Sequence, residues 1–79
     1  MPTVLRIKGY RFFFFSNEGD EPMHIHIEKA EAVGKMWLHP TIEEDYFYGF
    51  TTREIKEVKT IVAERIELLK TAWNEYFGQ

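Results

Sequence analysis

The last third of the chain carries one long apolar stripe, and this feature restricts the fold most. Its apolar residues recur at intervals of three and four, the spacing of one helix face. They are Ile55, Val58, Val62, Ile66, Leu69, Trp73 and Tyr76, flanked by Ile61, Leu68 and Ala72. Thr51 and Glu54 have the spacing of a capping box, and Gly78 suits a C-terminal cap. The pattern predicts one helix over about residues 52–76.

The rest of the chain shows the short apolar segments and turn signals of β-strands. Predicted strands cover about residues 3–8, 10–16, 23–29 and 34–39, and Tyr46-Phe47-Tyr48 is a candidate fifth strand. The run Phe12–Phe15 places rings on both faces of the second strand. The predicted fold class is α+β: an antiparallel meander of four or five strands with one long C-terminal helix packed on one face.

Length and composition further restrict the number of domains and the kinds of site that the chain can form. A chain of 79 residues is expected to form a single domain, residues 1–79. It has no cysteine, which excludes disulfides and thiolate metal ligands. A formal net charge of −3 argues against binding nucleic acid through bulk positive charge.

The predicted elements do not cover one another completely. A helix over residues 52–76 would be about 37 Å long, whereas a six-residue strand spans about 20 Å. One helix also cannot cover a sheet of four strands, and aromatic residues make up 16% of the chain. We therefore predict a homodimer or a small protein partner.

The sequence lacks the features that direct a chain to a membrane. The N-terminal residues do not have the basic and apolar regions of a signal peptide. No apolar run approaches the roughly 20 residues of a transmembrane helix. We expect a cytoplasmic protein with no membrane partner.

A row of polar residues marks the candidate site. In the stretch 24–28, His24, His26 and Glu28 alternate with Ile25 and Ile27. Successive side chains of a strand point to opposite faces, so the isoleucines can enter a core while the polar three share the other face. Imidazoles and carboxylates ligate metals and move protons, which makes this row the predicted site.

Several segments together resemble a known family. These segments are Met1-Pro2-Thr3-Val4-Leu5-Arg6, Tyr10-Arg11-Phe12-Phe13-Phe14, Glu21-Pro22-Met23-His24-Ile25-His26-Ile27-Glu28-Lys29, Trp37-Leu38, Gly49-Phe50 and Trp73-Asn74-Glu75-Tyr76-Phe77-Gly78. The chain resembles a small bacterial family catalogued as domain of unknown function 4160. The resemblance implies no defined activity. It does imply a gene beside that of another very small protein, in an arrangement similar to toxin–antitoxin pairs.

One interpretation of the row is a metal site. His24, His26 and Glu28 would be its ligands, since two histidines and a carboxylate are a common set for zinc and non-haem iron. Same-face neighbours on a strand lie about 6.8 Å apart, so a third ligand usually comes from another segment. Candidates for it are His39, Asp20 and Glu21. Apart from such a divalent metal, no cofactor is expected.

A second interpretation is a ribonuclease or metal-dependent hydrolase, with His24 and His26 as catalytic residues. Basic and aromatic residues on the same face would then hold and stack the nucleic acid. These residues are Arg6, Arg11, Lys29, Lys35 and Trp37. The simpler alternative is that the basic residues are solvated and balanced by Glu28 and Glu31.

The third interpretation, which we favour, is a protein-binding module. The open sheet face around His24 and His26 would be covered by another chain, because aromatic residues and arginine are the usual interface anchors. The predicted binding surface consists of Arg6, Arg11, Glu28, Lys35 and Trp37. The sequence thus favours a cytoplasmic bacterial binding or regulatory component of a two-gene, toxin–antitoxin-like pair, with the hydrolase as the alternative.

Overall fold

Five antiparallel strands and two helical segments form the fold in the computed structural model, which describes residues 3–78. The elements are β1 (Thr3–Ile7), β2 (Tyr10–Phe13), β3 (His24–Lys29), β4 (Ala32–Trp37), β5 (Glu43–Tyr48), α1 (Thr52–Glu64) and α2 (Ile66–Phe77). Each strand pairs with the next in the chain, in the order β1-β2-β3-β4-β5. The predicted α+β meander is confirmed, and it has five strands.

Two-residue turns join β1 to β2 and β3 to β4. Lys8 and Gly9 both have positive φ, 53° and 87°, which is the signature of a type I′ hairpin turn. The β3–β4 turn consists of Ala30 and Glu31, with Ala30 at φ 53°. Because this second turn is so short, β4 covers Ala32–Trp37, two residues earlier than the predicted 34–39.

Strand β2 is shorter than the predicted 10–16 and ends at Phe13. Phe14 is fully buried, with its ring 5.3 Å from that of Trp73 and 5.8 Å from that of Phe77. These contacts hold Phe14 against α2, where β2 is no longer paired to β3. A loop over residues 14–23, called the 14–23 loop below, joins β2 to β3.

The C-terminal helix differs from the prediction of one continuous helix. Arg65, at φ −110° and ψ 19°, separates α1 from α2, although hydrogen bonds to Ile61 and from Leu69 bridge the break. A straight helix of this length would be about 39 Å long and would extend beyond strands of about 20 Å. Both segments contribute to the core, α1 through residues such as Val62 and α2 through residues such as Trp73. Within residues 3–78, no helix combines the length and apolar character needed to cross a bilayer.

The core lies between the helices and one face of the sheet. It is built from β2, β3 and β4 residues such as Phe12, Ile25 and Met36, packed against helix residues such as Val62 and Trp73. The capping box of Thr51 and Glu54 is present, as is the left-handed Gly78 cap. Two residues predicted for the apolar stripe are not in the core, because Leu68 and Tyr76 are exposed. The sheet face opposite the helices is called the open face below.

Candidate functional site

The two histidines of the predicted row meet at one carboxylate, that of Glu18 in the 14–23 loop. Oε1 of Glu18 lies 2.8 Å from Nε2 of His24 and 2.8 Å from Nε2 of His26. One ligand-type atom from each residue lies within 4.8 Å of the other two. We call Glu18, His24 and His26 the His–Glu cluster.

The local fold explains why these side chains meet. His24 and His26 are two residues apart on β3, so both rings lie on the open face, 5.1 Å apart. Strand β2 pairs with β3 only as far as Phe13 opposite His26, which leaves His24 without a neighbour on that side. The 14–23 loop fills this position, and a turn between Glu18 O and Glu21 N brings the loop back towards β3.

The cluster is buried by aromatic rings. His24 is fully buried and His26 is 5% exposed. The His26 ring lies 5.6 Å from that of Phe13 and 4.5 Å from that of Phe15. The His24 ring is bordered by Trp37 at 5.5 Å and Trp73 at 5.0 Å. The histidines are therefore not available to a large substrate on the protein surface.

Burial and hydrogen bonding act in opposite directions on the charges of the cluster. Burial lowers the pKa of His26, although the hydrogen bond and the charge of Glu18 act the other way. Burial opposes ionisation of Glu18, but hydrogen bonds from His24 and His26 outweigh it and hold its pKa below the usual value. Glu18 is thus ionised near neutral pH.

Glu28, which the sequence suggested as a ligand, is held elsewhere. It stands opposite Arg11 in the β2–β3 register, and its Oε1 lies 2.6 Å from Nη1 of Arg11. Nε of Arg11 also donates to Thr3 Oγ1, and its guanidinium lies 4.3 Å from the centre of the Phe13 ring. The structure therefore brings Glu18, not Glu28, to the two histidines.

The other suggested ligands also lie outside the cluster. His39 and Asp20 are exposed, and Glu21 accepts a hydrogen bond from Nζ of Lys35 at 3.0 Å. Glu18 was visible in the sequence only as part of an acidic loop. Its position six residues before His24, across the turn formers Gly19, Asp20 and Pro22, was the available signal.

The predicted binding-surface residues do lie on the open face, but their charges are largely engaged. Lys35 lies between Glu21 and Asp45, at 3.0 and 3.7 Å, with its ammonium 4.3 Å from the centre of the Trp37 ring. Burial disfavours the charged form of Lys35. The nearby carboxylates have the larger effect, and they raise the pKa of Lys35 above its usual value. Arg6 is exposed opposite Arg11. Since Arg11 and Lys35 already contact carboxylates, they offer little free charge for phosphates.

The uncovered part of the open face is an aromatic strip on β4 and β5. Tyr48 is 65% exposed and stands opposite Val33, which is 43% exposed. The rings of Tyr46 and Tyr48 stack with centres 5.2 Å apart, and Tyr46 stands opposite Lys35. We call Val33, Lys35, Trp37, Tyr46 and Tyr48 the aromatic strip.

Comparisons with known proteins identify a family and no characterised relative. No curated protein and no solved structure matches the chain. The family described as "Domain of unknown function (DUF4160)" matches residues 9–74, which include the His–Glu cluster, the aromatic strip and most of the helix. The chain therefore belongs to this family of unknown function.

Proposed function

We propose that the protein is a cytoplasmic bacterial binding component of a two-gene, toxin–antitoxin-like pair. Its aromatic strip would bind the small protein encoded by the neighbouring gene. The observation that carries this proposal is the difference between the two faces of the sheet. The helices cover one face, whereas none of the elements described for residues 3–78 packs across β4 and β5 on the other.

The residue types of the strip suit a protein interface. Tyrosine and tryptophan supply large contact areas at low entropic cost, and they are enriched among residues that dominate binding energy. Tyr48 and Val33 are exposed apolar neighbours, and half-buried Trp37 lies further along the same face of β4, beyond Lys35. Such neighbouring apolar groups are more typical of a recognition surface than single scattered ones.

In this proposal the histidines lie beside the contact surface and are not themselves in contact with the partner. The sequence suggested a surface centred on His24 and His26, but both are buried beneath the 14–23 loop. The exposed centre lies one and two strands away, on β4 and β5. Lys35 links the two regions, because it pairs with His26 in the register and with Glu21 of the loop.

Copurification tests the proposal. The neighbouring gene's product, carrying the affinity tag, is coexpressed with this chain as wild type, Tyr48→Ala or Trp37→Ala. We expect the wild type to copurify in a fixed ratio and both variants to lose at least tenfold in affinity. Tyr76→Ala is the matched control, since Tyr76 is also an exposed aromatic residue but lies on α2.

The outcomes separate the partners that could cover the strip. Retention of Tyr48→Ala together with loss of Tyr76→Ala would move the interface to the helix and contradict the proposal. Light scattering of the chain alone provides the other test. A stable homodimer broken by Tyr48→Ala would assign the strip to a second copy instead.

The alternative enzyme remains a prediction and has less support from the geometry. A ribonuclease mechanism needs histidines that contact the phosphodiester, and His24 is fully buried. The proposed carboxylate, Glu28, is paired with Arg11. An RNA-cleavage assay comparing the wild type with His26→Ala tests this directly, and equal activity of the two proteins would exclude it.

A further inference from the structure

We propose that the His–Glu cluster is a binding site for one divalent transition-metal ion of the zinc class, ligated by Nε2 of His24, Nε2 of His26 and the carboxylate of Glu18. This inference is independent of the proposed protein interface. It starts from the convergence of three ligand-type atoms on one point, with 2.8 Å between Glu18 Oε1 and each imidazole nitrogen.

The hydrogen bond made by Nδ1 of His24 determines which of its two ring nitrogens can bind a metal ion. Nδ1 of His24 lies 2.9 Å from the carbonyl oxygen of Pro22, which can only accept a hydrogen bond. Nδ1 therefore carries a proton, which leaves Nε2, the ring nitrogen that faces Glu18, as the one able to bind a metal ion. Metal-binding histidines typically have this arrangement, in which a carbonyl or carboxylate accepts from the nitrogen that does not bind the metal.

Oε1 of Glu18 makes two contacts at once, and both are to imidazole nitrogens. Protons can satisfy these contacts only one at a time, with an N–H of each ring donating to Oε1. For His24 that requires both ring nitrogens to carry a proton, since Nδ1 already donates to Pro22 O. A single metal ion would satisfy both imidazoles and the carboxylate at the same time.

The surrounding charges favour a divalent cation. Apart from the two imidazoles, the charged groups around the cluster are Glu18, Glu21, Asp45 and Lys35, whose formal charges sum to −2. Lys35 is the only cation among these four, and it is held by Glu21 and Asp45 at 3.0 and 3.7 Å. A divalent ion would balance this charge in a site that aromatic rings shield from water.

The ligand types select the class of metal. Two imidazole nitrogens and one carboxylate suit Zn²⁺, Co²⁺, Ni²⁺ or Fe²⁺, whereas Ca²⁺ and Mg²⁺ prefer oxygen ligands. With bonds of about 2.0–2.2 Å, atoms around a tetrahedral ion lie about 3.4 Å apart. The 2.8 Å contacts would thus lengthen by about half an ångström. Glu18 can move in this way because it lies in the 14–23 loop and its side chain is 17% exposed.

Metal titration of protein purified without a His tag and stripped with a chelator tests the site. Zn²⁺ binding is measured by competition with a chromophoric chelator, and Co²⁺ binding by its visible absorption. We expect about one equivalent of each ion per chain. Glu18→Gln and His26→Ala should each weaken Zn²⁺ binding at least tenfold, while Ca²⁺ and Mg²⁺ should not compete.

Two controls separate the cluster from incidental ligands. His39→Ala removes the one histidine outside the cluster, and Glu28→Gln removes a carboxylate on the same strand. Both should bind Zn²⁺ within about twofold of the wild type. Glu18→His replaces one metal ligand with another and should retain binding, which keeps the test valid if Glu18→Gln folds poorly.

Three results would overturn the inference. One is less than a tenth of an equivalent of Zn²⁺ bound by the wild type at saturation. Another is unchanged affinity in both Glu18→Gln and His26→Ala, which would place the ion elsewhere. The third is loss of binding in His39→Ala with retention in His26→Ala.

Discussion

At the scale of single residues, Tyr10 shows how a contact between sheet and helix controls titration. Its ring is buried in the core, and its hydroxyl donates to Oε1 of Glu57 on α1 at 2.8 Å. Burial, followed by this hydrogen bond and the charge of Glu57, raises the pKa of Tyr10 to about 12. The folded state therefore retains a proton that the unfolded chain loses near pH 10.

This pKa predicts a pH dependence at the alkaline end. Because the folded pKa is raised, the stabilisation is complete below about pH 10 and is lost as the pH rises to about 12. Urea unfolding between about pH 9 and pH 11 should show the free energy of unfolding decreasing. Tyr10→Phe should flatten that decrease, whereas Tyr76→Phe should retain it. An equal slope in Tyr10→Phe would contradict the assignment.

A side chain at position 34 would clash with its neighbours, so this position requires glycine. A Cβ at this position would lie 2.6 Å from Cδ1 of Phe47 and 3.3 Å from the backbone oxygen of Tyr46. We expect Gly34→Ala to lower the free energy of unfolding by about 1–3 kcal/mol, measured by urea denaturation. In a Phe47→Leu background the cost should be smaller, since the ring that clashes is gone. The same cost in both backgrounds would show that the ring is not responsible.

The site could be predicted from sequence only where local alternation determined it. The period of two placed His24 and His26 together on the face away from Ile25, and the structure has them there. The partner carboxylate was not predictable in this way, because its position depends on where β2 ends and how the 14–23 loop folds. Glu28 follows the same alternation, but the register places it opposite Arg11, and an ion pair forms instead.

At the scale of elements, the start of α1 is fixed by its capping box. The Thr51 hydroxyl accepts from the Glu54 backbone N–H, and the Glu54 carboxylate accepts from the Thr51 N–H. Thr51→Ala should cost about 1 kcal/mol of stability, measured by thermal or urea unfolding. Thr60→Ala is the matched control: its hydroxyl bonds to Lys56 O within the helix, and its loss should change stability by less than about 0.5 kcal/mol. Equal costs would argue against a role for the cap.

Some elements could be predicted from the sequence more accurately than others. The capping box and apolar stripe predicted both helix limits to within a residue, because these signals are local. The β3–β4 turn was predicted only broadly, between residues 29 and 34, since Ala30-Glu31 lacks the glycine or asparagine typical of tight turns. The break at Arg65 has no Pro or Gly to mark it, so the sequence carries no local signal for it.

At the scale of the whole molecule, the two faces of the sheet have different environments. The helices and the apolar residues of β2, β3 and β4 form the core on one side. On the other, the 14–23 loop covers β3 and leaves the aromatic strip of β4 and β5 exposed. The prediction of a partner rests on this asymmetry, and the partner would complete the cover over the strip.

Hydrogen–deuterium exchange of the chain, alone and with the neighbouring gene's product, shows whether the partner covers β5. We predict that the partner slows exchange of the β5 amides, Glu43–Tyr48, because it covers Tyr46 and Tyr48 of this strand, and because β5 is an edge strand whose outward-facing amides have no partner within the sheet. Exchange in α2, Ile66–Phe77, should be unchanged. Slower exchange confined to α2 or β1, with β5 unaffected, would contradict binding of the partner at the aromatic strip.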